Sequence, residues 1–152
     1  MSTLKDAVQN DLHTAMRGRE KVRAGTLRMV LTSITTEEVS GTEHRDLTDD
    51  EVLKVIAKEA KKRKEAAAAY TDAGRPELAA QEEAELAILE TYLPTQLGDE
   101  ELRAIVSGVI AETGATGMQQ MGQVMKAAQA EVAGRADGGR VAAIVKQTLL
   151  GR

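Results

Sequence analysis

The stretch LAAQEEAELAILETYLPTQL, from Leu78 to Leu97, decides how this chain is organised. Its apolar residues recur at the three- and four-residue spacing of an amphipathic helix, and Pro94 interrupts the pattern. We therefore predict a helix that ends just before Pro94 and a change of domain at that proline. The predicted domains are residues 1–94, with about four helices, and residues 95–152, with three short helices.

Two glutamates share the predicted buried face of this helix. At 100° per residue, Glu82 and Glu85 fall on the stripe that the leucines commit to a core. Because a buried carboxylate needs a cationic partner or takes up a proton, arginines from other helices are expected nearby. Arg28 and Arg63 lie at or near the apolar stripes of their own helices. We predict a structural ion-pair network of these four residues, in which arginine lowers the carboxyl pKa values.

The composition favours an all-α fold. The 152 residues include two tyrosines and two prolines but no phenylalanine or tryptophan, so the core must be aliphatic. The absence of cysteine excludes disulfides, thiolate nucleophiles and cysteine-based metal sites. No apolar run approaches the roughly 18 residues of a membrane span, and the N-terminus does not resemble a signal peptide. We expect a cytoplasmic protein without membrane contact.

Two local patterns mark helix ends. Thr48 and Glu51 have the spacing of a capping box at the start of the third helix, and Gly74 is placed to end that helix. Further along, the sequence GRADG predicts a turn in which Gly134 adopts a positive φ and Asp137 caps the final helix. Arg135 is not needed for this turn, so we expect it to contact a partner or a neighbouring carboxylate.

One basic run, KEAKKRK from Lys58 to Lys64, could face phosphate. A solvated helix face with glutamates at i,i+4 is the favoured interpretation of such a run. No aromatic residue is interleaved, so any RNA contact would be to the backbone and would be sensitive to salt. The net charge of −4 argues against indiscriminate nucleic-acid binding.

The sequence predicts no metal, no cofactor, no catalytic residue and no small-molecule substrate. His13 and His44 have no second histidine at a ligand spacing, and a solvated loop is favoured over a metal site at His44. Glu82 and Glu85 could be an acid–base pair, but the ion-pair interpretation is favoured. The methionines Met118, Met121 and Met125 indicate core packing, with a docking groove for a partner helix as the alternative.

Four segments in order resemble the YqeY family over essentially the whole chain: LTDDEVLKVIAKEAKKRKEA, AGRPELAAQEEAELAILETYLPTQL, MGQVMKAA and GRADGGRV. The half from Thr95 onward also resembles the tail domain of GatB. GatB is the tRNA-handling subunit of the glutamine-dependent aspartyl/glutamyl-tRNA amidotransferase. The resemblance implies a helical N-terminal domain followed by a small helical tail domain.

The resemblance implies a role connected with tRNA, because the GatB tail is associated with tRNA recognition and does not hold the transamidase chemistry. Families with this domain are often labelled carbon–nitrogen ligases with glutamine as amido-nitrogen donor. No catalytic constellation is visible in this chain, so we expect no independent ligase activity. The residues expected to contact tRNA are Lys126, Arg135, Arg140 and Lys146 in the tail, joined by Lys58, Lys61 and Lys62.

Two classes of function are therefore carried forward. The first is a non-catalytic, tRNA-associated accessory protein related to the amidotransferase tail. The alternative is a helical protein–protein adaptor with an exposed apolar groove, which would lie along the helix that contains Met121 and Met125. A ligase is the least favoured interpretation.

Overall fold

A computed structural model describes residues 3–151, and over these residues the chain is all-α, as predicted. Seven α-helices and a single 3₁₀ turn, Met118–Gln120, make up the regular structure of the described part. The helices are α1 (Thr3–Arg17), α2 (Lys21–Glu38), α3 (Asp49–Asp72), α4 (Pro76–Glu90), α5 (Asp99–Thr113), α6 (Met121–Val132) and α7 (Gly138–Leu150).

The chain divides into two compact units, Met1–Leu93 and Pro94–Arg152. The first contains α1 to α4 and the second contains α5 to α7. Each unit has its own cluster of buried aliphatic side chains, as expected of a chain with almost no aromatic residues. The stretch Leu78–Leu97 therefore spans the end of the first unit and the beginning of the second.

The first unit is built around side chains from all four of its helices. Val8, Leu27, Ile56 and Leu89 are fully buried there, one from each helix in order. The turn after α4, which ends at Glu90, is also held by a polar contact, because Tyr92 Oη donates a hydrogen bond to Asp11 Oδ2 at 2.5 Å. Burial and the neighbouring Asp11 carboxylate both raise the pKa of the Tyr92 phenol, so it stays protonated as a donor.

The start of α3 has the predicted capping box. Glu51 N–H donates to Thr48 Oγ1 at 3.2 Å, and Thr48 N–H donates to Glu51 Oε1 at 3.1 Å. A hydrogen bond from Arg45, together with those from Thr48, lowers the pKa of Glu51 to about 2. Gly74 follows the helix with φ of +72°, a conformation that only glycine adopts without strain, so the predicted stop is confirmed.

The second unit folds its three helices around a separate core. Leu102, Ile110, Val124 and Val145 are among the side chains that form it. The turn after α6 departs from the prediction in two respects. Asp137 stands at the N-cap position of α7, as predicted, but its side chain makes no capping hydrogen bond there. Gly134 has the expected positive φ of +81°, but Ala133 before it is also left-handed, with φ of +49°. The helix thus ends at Val132, with an alanine where glycine would cost less.

Candidate functional site

A buried ion pair lies on α3 of the first unit. Arg63 and Glu59 are each only 6% exposed, and Arg63 Nη1 donates to Glu59 Oε2 at 2.5 Å. Ser33 on α2 donates to the other carboxylate oxygen, Glu59 Oε1, at 3.0 Å. Burial opposes ionisation of Glu59, but the hydrogen bonds from Ser33 and Arg63 outweigh it and lower the pKa of that carboxyl. The prediction that Arg63 points inward is therefore confirmed.

The predicted network of Arg28, Arg63, Glu82 and Glu85 does not form as proposed. Arg28 is exposed, and among residues 3–151 no ion pair within 4 Å joins Glu82 or Glu85 to a cation. Burial and repulsion from Glu82 raise the pKa of Glu85, with only partial compensation from the attraction of Arg63. This is the opposite of the predicted lowering. The physical reason is the position of Glu59 on the same helix. Glu59 lies one helical turn before Arg63, so its carboxylate pairs with the guanidinium in place of Glu82 or Glu85.

A groove runs between α2 and α3 directly in front of this ion pair. It has a volume of about 200 Å³. Hydroxyl groups and lysines from the two helices face each other across it. The lining residues are Thr32, Ser33, Thr36 and Glu37 from α2 and Val55, Lys58, Glu59 and Lys62 from α3.

The hydroxyl hydrogens of this groove are already engaged within the protein. Thr32 Oγ1 donates to the backbone oxygen of Arg28 at 3.0 Å, and Thr36 Oγ1 donates to that of Thr32 at 2.9 Å. Ser33 donates to Glu59. The hydroxyl oxygens therefore offer lone pairs, and the positively charged donors of the groove are Lys58 and Lys62.

The basic run, for which a solvated helix face was favoured over a phosphate contact, borders a groove. Lys58, Lys61 and Lys62 are all exposed, and Lys58 and Lys62 lie one turn apart on the same side of α3. Lys62 Nζ is also 3.4 Å from Glu59 Oε1, a weak contact that leaves its remaining donors available. Sequence reasoning identified the lysines but missed the hydroxyls of α2, whose i,i+4 spacing at Thr32 and Thr36 was the signal.

The four cations predicted to contact tRNA from the second unit fall into two classes. Lys126 and Lys146 are exposed on α6 and α7. Arg135 and Arg140 instead make hydrogen bonds within the fold.

The guanidinium of Arg135 caps α6, donating to the backbone oxygens of Val132 at 2.9 Å and Glu131 at 2.7 Å. Arg140 Nη2 donates to the Leu97 oxygen at 3.1 Å and to Asp99 Oδ1 at 2.7 Å. The latter bond lowers the pKa of Asp99. Both arginines therefore have structural partners. The expectation that Arg135 is not needed for the turn and contacts a partner or a carboxylate is wrong, because its guanidinium binds the backbone oxygens that end α6.

The second unit has an open hollow between α5 and α6, and its charged residues differ from those of the groove between α2 and α3. Val109, Ala127 and Ala130 line it together with Glu112 and Glu131. Its charged side chains are carboxylates, which repel phosphate. Met121 and Met125 pack against the core, so the favoured interpretation of core packing is confirmed for these two rather than the alternative of a docking groove. It is wrong for Met118, which precedes α6 and is 37% exposed.

A third polar cluster lies where α2 ends. Glu38 is 3% exposed, and Lys5 Nζ donates to its two carboxylate oxygens at 2.9 and 3.2 Å. This hydrogen bond lowers the pKa of Glu38, although burial opposes the effect. His44 Nε2 lies 3.9 Å from Glu38 Oε1 and 3.9 Å from Asp46 Oδ1. Among residues 3–151, these three side chains form a group of the kind that could hold a metal ion.

The fold and the groove define a class: an all-helical protein of two small units with a lysine- and hydroxyl-lined groove in the first. No helix within residues 3–151 combines the length and apolarity needed to cross a bilayer. The profile of the Yqey-like protein family matches residues 5–149 of the chain. The chain therefore belongs to the YqeY family.

Two curated relatives share part of the sequence. Over 91 residues, 60% of this chain, it is 34% identical to an uncharacterized protein of Schizosaccharomyces pombe, C22F3.15, of which the match covers 72%. Over 88 residues, 58% of this chain, it is 31% identical to the Meyerozyma guilliermondii protein named "altered inheritance of mitochondria protein 41, mitochondrial". The second match covers 45% of the Meyerozyma guilliermondii protein.

Proposed function

We propose that this chain is a non-catalytic accessory protein that binds the backbone of tRNA through the α2–α3 groove. The observation that carries the proposal is the placement of Lys58 and Lys62, exposed and one turn apart, along the edge of that groove. The relation to the GatB tail, stated above as a resemblance, supplies tRNA as the expected RNA.

The charges near the groove support a phosphate ligand. Arg63 balances Glu59 behind the groove, so Lys58 and Lys62 remain to face a single further carboxylate, Glu37. Lysine binds phosphate as a mobile point charge, which suits contacts to a backbone rather than to bases. The oxygen atoms of Thr32 and Thr36 can accept hydrogen bonds from ribose hydroxyls that lie beside the phosphates.

The second unit would add contacts of the same kind. Lys126 and Lys146 are its exposed candidates, whereas Arg135 and Arg140 keep part of their donors for the fold. We therefore propose that substituting either lysine weakens RNA binding without unfolding the unit. Substituting Arg140 is proposed to act chiefly on stability.

The test is a titration of fluorescently labelled tRNA with the full chain at low and at moderate salt. Binding should be tighter than to an acidic polymer of similar charge, and it should weaken steeply with salt, since phosphate contacts release counterions. Affinity for tRNA no greater than for the acidic polymer would contradict the proposal.

The adaptor remains a second candidate because of exposed apolar side chains on the first unit. Val22 and Met29 are each 49% exposed and lie two turns apart on one side of α2. Clustered apolar exposure is a mark of protein-binding surfaces. A partner recovered with the chain after nuclease treatment, and lost in Met29→Glu, would favour this function over RNA binding.

Ligase activity by this chain alone is not part of the proposal. The family label of a carbon–nitrogen ligase refers to glutamine-dependent amide formation. We propose that the purified chain releases no glutamate from glutamine in the presence of ATP and charged tRNA. Measurable release that depends on this chain would overturn the non-catalytic assignment. A cytoplasmic location is likewise proposed, and imaging of the tagged native protein would test it.

A further inference from the structure

Glu38, His44 and Asp46 form a cluster at the end of α2, and the hydrogen bonds of Glu38 do not account for the placement of the other two side chains. Glu38 is the last residue of that helix, and the loop that follows returns His44 and Asp46 to its carboxylate. His44 Nε2 is equidistant, at 3.9 Å, from Glu38 Oε1 and Asp46 Oδ1. Metal–ligand bonds of about 2.0–2.2 Å leave neighbouring ligand atoms roughly 3.3–4 Å apart. The separations are therefore those of atoms that could share one ion.

We propose that Glu38, His44 and Asp46 bind one divalent transition-metal ion of the Zn²⁺ type. The imidazole decides the class of metal, because Mg²⁺ and Ca²⁺ prefer oxygen ligands, whereas Zn²⁺ accepts imidazole nitrogen and carboxylate oxygen together. Three protein ligands leave a fourth tetrahedral position for water. The exposure of the two loop ligands, 60% for the His44 side chain and 61% for Asp46, gives the ion a path from solvent.

The buried ligand is held in place by the backbone of the same loop. Leu47 N–H donates to Glu38 Oε2 at 3.3 Å and does not occupy Oε1, the oxygen that lies 3.9 Å from His44 Nε2. Arg45 N–H donates to the Glu38 backbone oxygen at 3.0 Å and fixes the loop against the helix end. Hydrogen bonds to the outer atoms of ligands are a recurring feature of metal sites, because they orient the ligand before the ion arrives.

Lys5 is the competitor for this ion. Its ammonium contacts the same Glu38 oxygens, so an incoming cation must displace it from Oε1. The Lys5 side chain is 24% exposed, and its flexible stem can turn toward water when the ion binds. With His44 counted as neutral, the carboxylates of Glu38 and Asp46 and the ammonium of Lys5 carry one net negative charge together. This charge attracts a divalent cation. The site should therefore bind the ion more weakly than the same three ligands would without Lys5.

Calorimetric titration of the full chain with ZnCl₂ tests the site against a clean background, because the chain has no cysteine and only two histidines. We expect saturable binding of one Zn²⁺ per chain. His44→Ala should weaken it at least about tenfold, since even the outer partners of metal ligands contribute that much. The matched control is His13→Ala, which changes the other, exposed histidine and should leave the affinity unchanged. Binding that survives His44→Ala, or is lost in His13→Ala, would overturn the site.

A second variant tests the competition directly. Lys5→Met keeps an unbranched side chain, one atom shorter, and removes its charge, so Zn²⁺ should bind more tightly and should raise the melting temperature more than in the original chain. Equal or weaker Zn²⁺ binding by this variant would refute the displacement of Lys5. Mg²⁺ added together with Zn²⁺ should not weaken Zn²⁺ binding. Equal affinity for the two ions would refute the transition-metal assignment.

Discussion

Arg63 is the residue on which the polar interior of the first unit depends. Its guanidinium neutralises Glu59 in a setting where both side chains are almost fully buried. Arg63→Met should lower the free energy of unfolding by about 3–5 kcal/mol, because it leaves a buried carboxylate without its pair. Urea denaturation followed by circular dichroism measures the change.

Two further variants separate pairing from packing at Arg63. Arg28→Met on the exposed side of α2 should change the stability by no more than about 0.5 kcal/mol, as at most surface positions. The double variant Arg63→Met/Glu59→Leu should regain most of the stability that the single variant loses, since it removes the unpaired charge. A double variant no more stable than Arg63→Met would refute the ion-pair account.

Glu85 should destabilise the first unit near neutral pH. Its folded-state pKa is raised by burial and by Glu82, so the charged form is disfavoured on folding. A raised carboxyl pKa means that Glu85 ionises more readily in the unfolded chain than in the folded one. The protein is therefore more stable at acidic pH, where Glu85 is protonated, and loses this contribution as the pH rises through the folded-state pKa. Glu85→Gln should therefore stabilise the protein near neutral pH and have little effect at acidic pH.

Urea denaturation at the two pH values measures the effect of Glu85→Gln, and Glu83→Gln on the exposed side of α4 is the control. The control should show no such dependence on pH. Destabilisation by Glu85→Gln near neutral pH would mean that the carboxylate has a cationic partner after all.

The sequence could place these residues but could not pair them. A charge on an apolar stripe predicts burial, which holds for Arg63 and in part for Glu82 and Glu85. Choosing among partners requires distances, and Glu59 lies within the basic run Lys58–Lys64, whose pattern predicts solvated glutamates. The hydroxyl of Ser33, which completes the pair from α2, carries no charge pattern that a sequence could reveal.

At the scale of the helix, the capping box fixes where α3 begins and hence where its lysines lie. Thr48→Ala should lower the free energy of unfolding by about 1 kcal/mol, because the N–H of Glu51 loses its acceptor. Chemical denaturation measures the change, with Thr42→Ala in the exposed loop as a control expected to have little effect. Equal effects of the two substitutions would contradict the capping role.

The end of α6 offers a prediction of opposite sign. Ala133 has φ of +49°, so Ala133→Gly should raise the stability by about 0.5–1 kcal/mol through relief of the left-handed conformation. Ala130→Gly, within the same helix, should lower it by about 1 kcal/mol. Thermal and urea denaturation of both variants check the difference, and a loss of stability in Ala133→Gly would contradict the assigned backbone.

The helix ends show which element-level features a sequence reveals. Thr48 with Glu51, and Gly74, are residues whose chemistry is specific to a cap or a stop, and both act as predicted. Ala133 is an ordinary helix former, so nothing in its type predicts a left-handed residue. The sequence indicated the turn through Gly134 and Asp137, and Gly134 lies two residues past Val132, where the helix ends.

At the scale of the molecule, the second unit has its own buried core and should fold by itself. A fragment of residues 94–152 should retain helical circular dichroism and unfold cooperatively, because all of its core side chains lie between Leu97 and Leu149, within this unit. The control is the same fragment with Val106→Asp, which places a charge in the core and should abolish the cooperative transition. A fragment without helical signal would show that the unit depends on the rest of the chain.

The all-α architecture followed from composition and periodicity, whereas the groove did not. Lysines at i,i+4 predict a charged face, but a groove needs a second helix at the right distance. The sequence therefore indicated Lys58 and Lys62. The i,i+4 spacing of Thr32 and Thr36 indicated a shared helix face, but not that this face lies opposite those lysines. This is also why a solvated helix face was the favoured interpretation of the basic run.

The salt dependence of tRNA binding is the most direct test of the groove. In Lys58→Gln/Lys62→Gln the slope of log K against log salt concentration should become shallower by about 0.7–0.9 for each lost phosphate contact. Lys21→Gln/Lys64→Gln carries the same change of net charge outside the groove and should keep the original slope. Equal slopes for the two double variants would contradict binding of tRNA phosphates by the groove between α2 and α3.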